Sequence, residues 1–250
     1  MGIDRLKTIS ITENSSVFEM VGFGNTNGRN NGESNLIQNV LRSGDVVFDV
    51  GADIGNWSRY ILETSKDVSL YAFEPIPMSF KFLEKNMNFE NIFLYNIALS
   101  QDVGFVNFFV YMGGNGLTDC SSLYYRPVIG QHLLKEIEVE TQSLDYFSKK
   151  NNISKIDFLK LDVEGAEYFI FLGAQEMLNR KAITQIQFEY GGCNIDSNIT
   201  LKEIYEFLIL KDFSVYRMGV FPNSKWSIDL PNIFLRYFFN PPSFYSKFWI

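Results

Sequence analysis

Histidine and cysteine are nearly absent from this chain: one histidine, His132, and two cysteines, Cys120 and Cys193, occur in 250 residues. That scarcity excludes a structural zinc site, which needs clustered Cys and His ligands, and a disulfide framework, which needs more cysteines at regular spacing. Basic residues are also short. Lys and Arg number 22 against 29 Asp and Glu, a formal net charge of −7, so nucleic acid is not the expected partner. Long hydrophobic runs are missing too, and no segment approaches the roughly 20 apolar residues of a membrane span. Met1–Ser10 alternates charged and apolar residues without the apolar core of a secretory signal, which makes the cytoplasm the expected address.

What is present is the balance of a globular protein, 46% hydrophobic and 20% charged, with aromatics at 16%. The length allows one large α/β domain or two small ones. Val46–Val50 and Leu70–Phe73 are short apolar runs typical of strands buried on both faces. Asn56–Ser65 and Ser79–Asn88 read as helices between strands, the second with Phe82, Leu83 and Met87 on its apolar face. Further strands are expected at Ile92–Tyr95, Val106–Tyr111, Phe158–Val163 and Ile183–Glu189. Gly165–Asn179 reads as one helix, and Thr200–Glu203 as a capping box opening another with Leu201, Ile204, Tyr205 and Leu208 inward. Strand alternating with helix predicts a parallel sheet. Met112–Leu134 reads as a long loop. Phe213–Met218 and Asn232–Phe239 read as late strands in an antiparallel hairpin. No second core is evident, so the expected organisation is an N-terminal extension (1–34), one domain (35–240) and an aromatic tail (241–250).

Three segments carry chemistry. Asp49-Val50-Gly51-Ala52-Asp53-Ile54-Gly55 follows a buried strand and precedes a helix, where glycines permit a tight turn and close ligand approach. Its Gly-x-x-x-Gly spacing is neither a dinucleotide fingerprint nor a phosphate-gripping loop. The acid before the turn suits a cationic ligand. Glu74 ends the second strand, 19 residues after Gly55, where a carboxylate can accept hydrogen bonds from two ribose hydroxyls. Asp162, Glu164 and Glu167 cluster at the end of the Phe158–Val163 strand. Their mutual repulsion calls for a cation, a partner or a proton, although Glu164 and Glu167 would also suit the start of a helix. Glu189, at the end of the next strand, converges on the same spot.

Phe48–Gly55, Ala72-Phe73-Glu74-Pro75, Asn96-Ile97-Ala98-Leu99-Ser100 and Lys160–Glu167 together resemble the FkbM family of methyltransferases, in the family's order and approximate spacing. The resemblance spans roughly Glu33 to Phe239. The acid–Gly turn is shared by many adenosylmethionine enzymes; the Phe-Glu-Pro and Asp-Val-Glu-Gly-Ala-Glu segments are more specific. The resemblance implies a Rossmann-like class I α/β fold: a seven-stranded, mostly parallel sheet with the last strand antiparallel and helices on both faces. It also implies S-adenosyl-L-methionine as donor. Asp49, Gly51 and Gly55 would wrap the methionine part and ribose, with Ala52, Asp53 and Asn56 in the same turn and Asp162 beside it. Glu74 would hold the ribose, Phe73 or Pro75 would flank the adenine, and Asn96, Ala98 and Leu99 would cover it. Asp53 departs from the Asn common in relatives, an added charge that either alters donor contacts or faces solvent.

Relatives usually methylate oxygen, often a sugar hydroxyl in a polysaccharide, glycan precursor or natural product, so a carbohydrate or small-molecule acceptor is expected. The hydroxyl must lose its proton. Asp162 is the first candidate base, Glu189 the second and His132 the third. Alternatively, Asp162 and Glu189 hold a divalent ion, Mg2+, that acidifies the hydroxyl. Ser121, Ser122, Tyr124 and Tyr125 are candidates for an acceptor lid. Phe244, Tyr245, Phe248 and Trp249 either pack as a tail, cap the cleft, join two copies in a homodimer or touch a membrane face. Two other readings stay open: an NAD- or nucleotide-sugar-binding enzyme on the same sheet type, and a non-catalytic adenosylmethionine-binding module.

Overall fold

A computed structural model describes residues 33–65, 67–113, 116–117, 121–125, 133–217 and 246–249. His132 and Cys120, and the 232–239 segment expected to form a late strand, lie outside the described residues. In chain order the elements begin α1 (Glu33–Val40), β1 (Val46–Val50), α2 (Asn56–Thr64), β2 (Ser69–Phe73), α3 (Pro77–Asn86) and β3 (Ile92–Tyr95). Then come β4 (Ala98–Ser100), β5 (Gly104–Gly113), β6 (Gly116–Leu117), β7 (Leu133–Ser143), α4 (Leu144–Lys150) and β8 (Ile156–Leu161). The rest are α5 (Glu167–Leu172), α6 (Gln175–Asn179), β9 (Ile183–Tyr190), α7 (Cys193–Asp196), α8 (Leu201–Ile209), β10 (Tyr216–Arg217) and β11 (Ser246–Trp249).

Seven strands form the central sheet in the order β3-β2-β1-β8-β9-β11-β10. β3, β2, β1, β8 and β9 run parallel, and β11 enters antiparallel between β9 and β10. This is the class I methyltransferase arrangement that the family resemblance implies. Each inner strand is buried on both sides because its alternate residues feed different cores. Phe48, Val50, Leu159, Leu161, Ile186 and Phe188 meet residues of α4, α5, α6 and α8 on one face. Val47, Leu70, Ala72 and Phe158 meet α1, α2 and α3 on the other. Strand order reverses between β1 and β8, so a crevice opens at their carboxyl ends.

Several expectations need correction. The 165–179 helix is two short helices, α5 and α6, broken at Gly173-Ala174. Phe82 points to solvent at 51% exposure, while Leu83 and Met87 are buried as expected. The late strand at 213–218 shrinks to Tyr216–Arg217, and its antiparallel neighbour is β11. Within the stretch expected as a tail, Ser246–Trp249 forms the antiparallel strand of the central sheet, while Phe244 and Tyr245 lie outside the described residues. The long loop expected to 134 ends in β7, which pairs with β5 along Gly104–Met112. Together β4, β7, β5 and β6 make a second, four-stranded sheet.

Gly173 shows how tightly α5 meets that second sheet. A Cβ there would stand 2.1 Å from the Ser100 carbonyl oxygen and 3.1 Å from Ser143 Cβ. Gly173→Ala is therefore expected to destabilise by about 1–3 kcal/mol through overpacking, a melting-temperature drop of roughly 3–10 °C at this chain length. Thermal denaturation checks this, and an unchanged melting point would show that the helix shifts freely.

Candidate functional site

A cleft of about 760 Å³ opens at the carboxyl ends of β1, β2, β8 and β9, within the range of small-molecule sites. Five stretches that the sequence singles out line it together: Gly51, Ala52, Asp53 and Asn56; Glu74 and Pro75; Ala98 and Leu99; Asp162; and Glu189. These residues are far apart in the chain; all but Ala98 and Leu99, which stand on β4 of the second sheet, lie at or just past the ends of neighbouring strands of the central sheet.

The turn after β1 is held by its neighbours. The amides of Gly51 and Ala52 both donate to the Phe73 carbonyl, each at 3.0 Å, and Asp162 N donates to Val50 O at 3.0 Å. Gly55 has a positive φ of 91° and faces Leu83 of α3 and Met87 just past its end, so it seats the turn on the helix layer rather than touching the cleft.

Glu74 is 5% exposed and lines the cleft. Its Oε2 accepts from Asp53 N at 2.9 Å and its Oε1 from Ile76 N at 2.8 Å. Burial nevertheless pushes its carboxyl up to about 7, against those two hydrogen bonds. Asn96 does not line the cleft. Its Nδ2 donates to the carbonyls of Glu74 and Pro75, bracing the segment that carries Glu74.

Asp49 also stands away from the cleft. Its carboxylate is fully buried behind the turn, with Ser58 Oγ donating to Oδ2 at 2.6 Å and Lys160 Nζ to Oδ1 at 2.9 Å. It therefore braces the turn after β1 from behind and does not line the cleft. Lys160 does reach the cleft. Burial works against its charge, but Asp49 and Asp162 more than reverse that and hold it protonated. Its ammonium also lies 5.4 Å from the centre of the Trp57 ring.

Asp162 and Glu189 end adjacent strands and both line the cleft. Lys160 Nζ stands 3.5 Å from Asp162 Oδ2. Among the described residues no three Asp, Glu, His or Cys side chains converge as a metal-ligand set. A cation already faces Asp162, so the donor set does not fit Mg2+, and no step is assigned to it. The other acids of the cluster part ways. Glu164 lines the cleft, whereas Glu167 is buried away from it. Glu167 accepts from Asn194 Nδ2 at 2.9 Å and from the amides of Val163 and Gly165 at 3.4 Å, and burial raises it to about 7. It ties the loop after β8 to the turn after β9.

The second sheet supplies the far wall. Phe108, Ser121 and Leu123 line the cleft, and Phe108 packs with Ile76, Ala98 and Val110. Ser122 donates to the Glu164 carbonyl at 2.7 Å, Tyr124 lies against Phe169, and Tyr125 is exposed. Of the four residues expected in a lid, Ser121 alone lines the cleft.

The family model described as "Methyltransferase FkbM domain" matches residues 49–215. The chain belongs to the FkbM methyltransferase family. Methyl transfer from S-adenosylmethionine is the chemistry that this membership brings. Among relatives, the chain is 26% identical over 175 residues to "2-O-methyltransferase NoeI" of Sinorhizobium fredii, covering 65% of this chain and 70% of NoeI. It is 25% identical over 150 residues to "Methyltransferase 1" of Beauveria bassiana, covering 52% of this chain and 58% of that relative. Among solved structures it is similar to precorrin-6y C5,15-methyltransferase of Geobacter metallireducens, with a TM-score of 0.42, 13% identity and coverage of 74% and 72%.

The FkbM motifs in the sequence announce the turn and Glu74. They do not announce Lys160 as the partner of Asp49, because the two lie 111 residues apart. A lysine between Leu159 and Leu161 in the inner strand Ile156–Leu161 is the signal that would have found it, since a buried cation needs a buried anion.

Proposed function

We propose that this FkbM methyltransferase transfers the methyl group of S-adenosylmethionine to a hydroxyl oxygen of a carbohydrate or a similar hydroxylated small molecule. The observation that carries the reading is a single cleft joining a buried ribose-type carboxylate, Glu74, to two further carboxylates, Asp162 and Glu189, at adjacent strand ends. The name of NoeI, a 2-O-methyltransferase, supports oxygen as the target. Gly51, Ala52 and Asn56 would seat the methionine part, Glu74 the ribose, and Pro75, Ala98 and Leu99 the adenine.

The donor brings an activated sulfonium methyl, so the protein's task is alignment and removal of one proton. Asp162 or Glu189 accepts the proton of the acceptor hydroxyl as oxygen takes the methyl and the carbon–sulfur bond breaks. Phe108, Leu123 and Ile76 keep water from the reacting end. We place the reaction in the cytoplasm.

The test is calorimetric titration with S-adenosylmethionine, NAD as the control, followed by mass spectrometry of a panel of mono- and oligosaccharides. Asp162→Asn and Glu189→Gln then identify the base. The responsible variant is expected to lose roughly 10²–10⁴ in kcat; donor affinity should change little in Glu189→Gln and weaken as well in Asp162→Asn, because Asp162 stands beside the donor turn. If both variants keep turnover within tenfold of wild type, carboxylate base catalysis is wrong. Saturable NAD binding without donor binding would overturn the methyl-transfer reading itself.

A further inference from the structure

We infer that Lys160 is the cation that receives the α-carboxylate of the donor, so that the site selects sulfonium donors carrying an intact amino-acid tail. The inference rests on S-adenosylmethionine being the donor. That tail enters as a zwitterion. Its carboxylate loses water on entering the cleft and needs a charged partner there. Among the described residues lining the cleft, Lys160 and Arg59 are the cations. The Arg59 guanidinium donates to the Asn86 carbonyl at 2.8 Å, an exposed contact on the α3 flank. Lys160 lies at the donor turn itself, with its Nζ 3.5 Å from the Gly51 carbonyl.

The geometry of the ammonium supports a ligand role. It has three N–H donors, and one of them is firmly used, by Asp49 at 2.9 Å. The Gly51 carbonyl and Asp162 Oδ2, both at 3.5 Å, are at the limit of a hydrogen bond. They are weak contacts that a ligand carboxylate can replace. Asp49, with Ser58 behind it, pins the ammonium in place before any ligand arrives, and the Trp57 ring shields one side of it. The result is an alternation of charge: Asp49, Lys160, the donor carboxylate, then the donor ammonium facing Asp162 and the Gly51 carbonyl. A purely structural cation would need no route to the cleft, yet Lys160, although only 4% exposed, is among the residues that line it.

The test compares S-adenosylmethionine with its decarboxylated analogue, which lacks only the carboxylate. Both are titrated calorimetrically into wild type, Lys160→Met and the double variant Asp49→Asn/Lys160→Met. The double variant removes both charges of the pair, so Asp49 is not left buried and unpartnered. Wild type is expected to favour the intact donor by roughly 10- to 100-fold, the range of a charge-assisted hydrogen bond. Both variants are expected to lose that preference, and Lys160→Met to bind the decarboxylated analogue at least as well as wild type does, since a like charge has gone. Melting curves report whether each variant folds. A folded variant that still favours the intact donor, or a wild type that does not distinguish the two, overturns the role of Lys160. If wild type binds neither compound, the donor reading fails instead.

Discussion

Gly51→Ala is expected to cost both the fold and the donor site. Gly51 has a φ of +80°, where a side chain is strained, and its absent Cβ would stand 1.9 Å from the Asp162 carbonyl oxygen and 2.8 Å from the carbonyl carbon. Both are backbone atoms, so no rotamer change relieves the overlap. The ends of β1 and β8 must separate, breaking the Asp162 N to Val50 O hydrogen bond and loosening the paired Gly51 and Ala52 bonds to Phe73. Overpacking and backbone strain together amount to about 3 kcal/mol or more, a melting-temperature drop on the order of 10 °C. Separation also moves Asp162 away from the turn, so donor binding should fall below calorimetric detection. A variant that melts within two degrees of wild type and binds donor normally would show that the two strand ends are not in the contact described.

The difference between Gly51 and Lys160 explains how much of this protein can be read without coordinates. The Gly51 turn is local: a buried apolar run, an acid, two spaced glycines and a helix start are contiguous, and each follows from steric and hydrogen-bonding rules. The buried inner strands are legible for the same reason. The second sheet is written just as plainly in β7, where Glu136, Glu138 and Glu140 are exposed and alternate with buried Val139 and Thr141. It is easily missed because the Gly-, Ser- and Tyr-containing stretch before it has the composition of a loop. Phe82 fails for want of phase. The helix starts at Pro77, and one residue of rotation sends a large apolar side chain to solvent while Leu83 stays inside. The antiparallel strand at 246–249 was hidden by its place at the chain end, where aromatic residues read as a tail. Lys160 belongs to a different class, because nothing near it in sequence names Asp49 as its partner.

Glu74 makes the second large prediction, that donor affinity depends on pH through one carboxyl. Burial raises Glu74 to about 7, and ribose hydroxyls donate best to the ionised form. Between pH 8 and pH 6 its ionised fraction falls from most of the population to a small part, so the donor dissociation constant should rise by roughly tenfold. Glu74→Gln should bind weakly at pH 8, by roughly 10- to 100-fold, and show no change down to pH 6. Stability runs the other way. A folded-state pKa raised from 4.5 to about 7 contributes stability that is fully present below the unfolded value and lost as pH rises through 7, an effect of about 3 kcal/mol. Glu167, raised to a similar value by burial, adds to that loss. It does not line the cleft, so Glu167→Gln should flatten part of the stability profile and leave the affinity profile intact. Ligand-free protein is thus least stable where it binds donor best, and the thermal shift on adding S-adenosylmethionine should grow from pH 6 to pH 8. A wild-type affinity that is flat over this interval would mean that Glu74 is ionised throughout, and that its two backbone amides outweigh its burial.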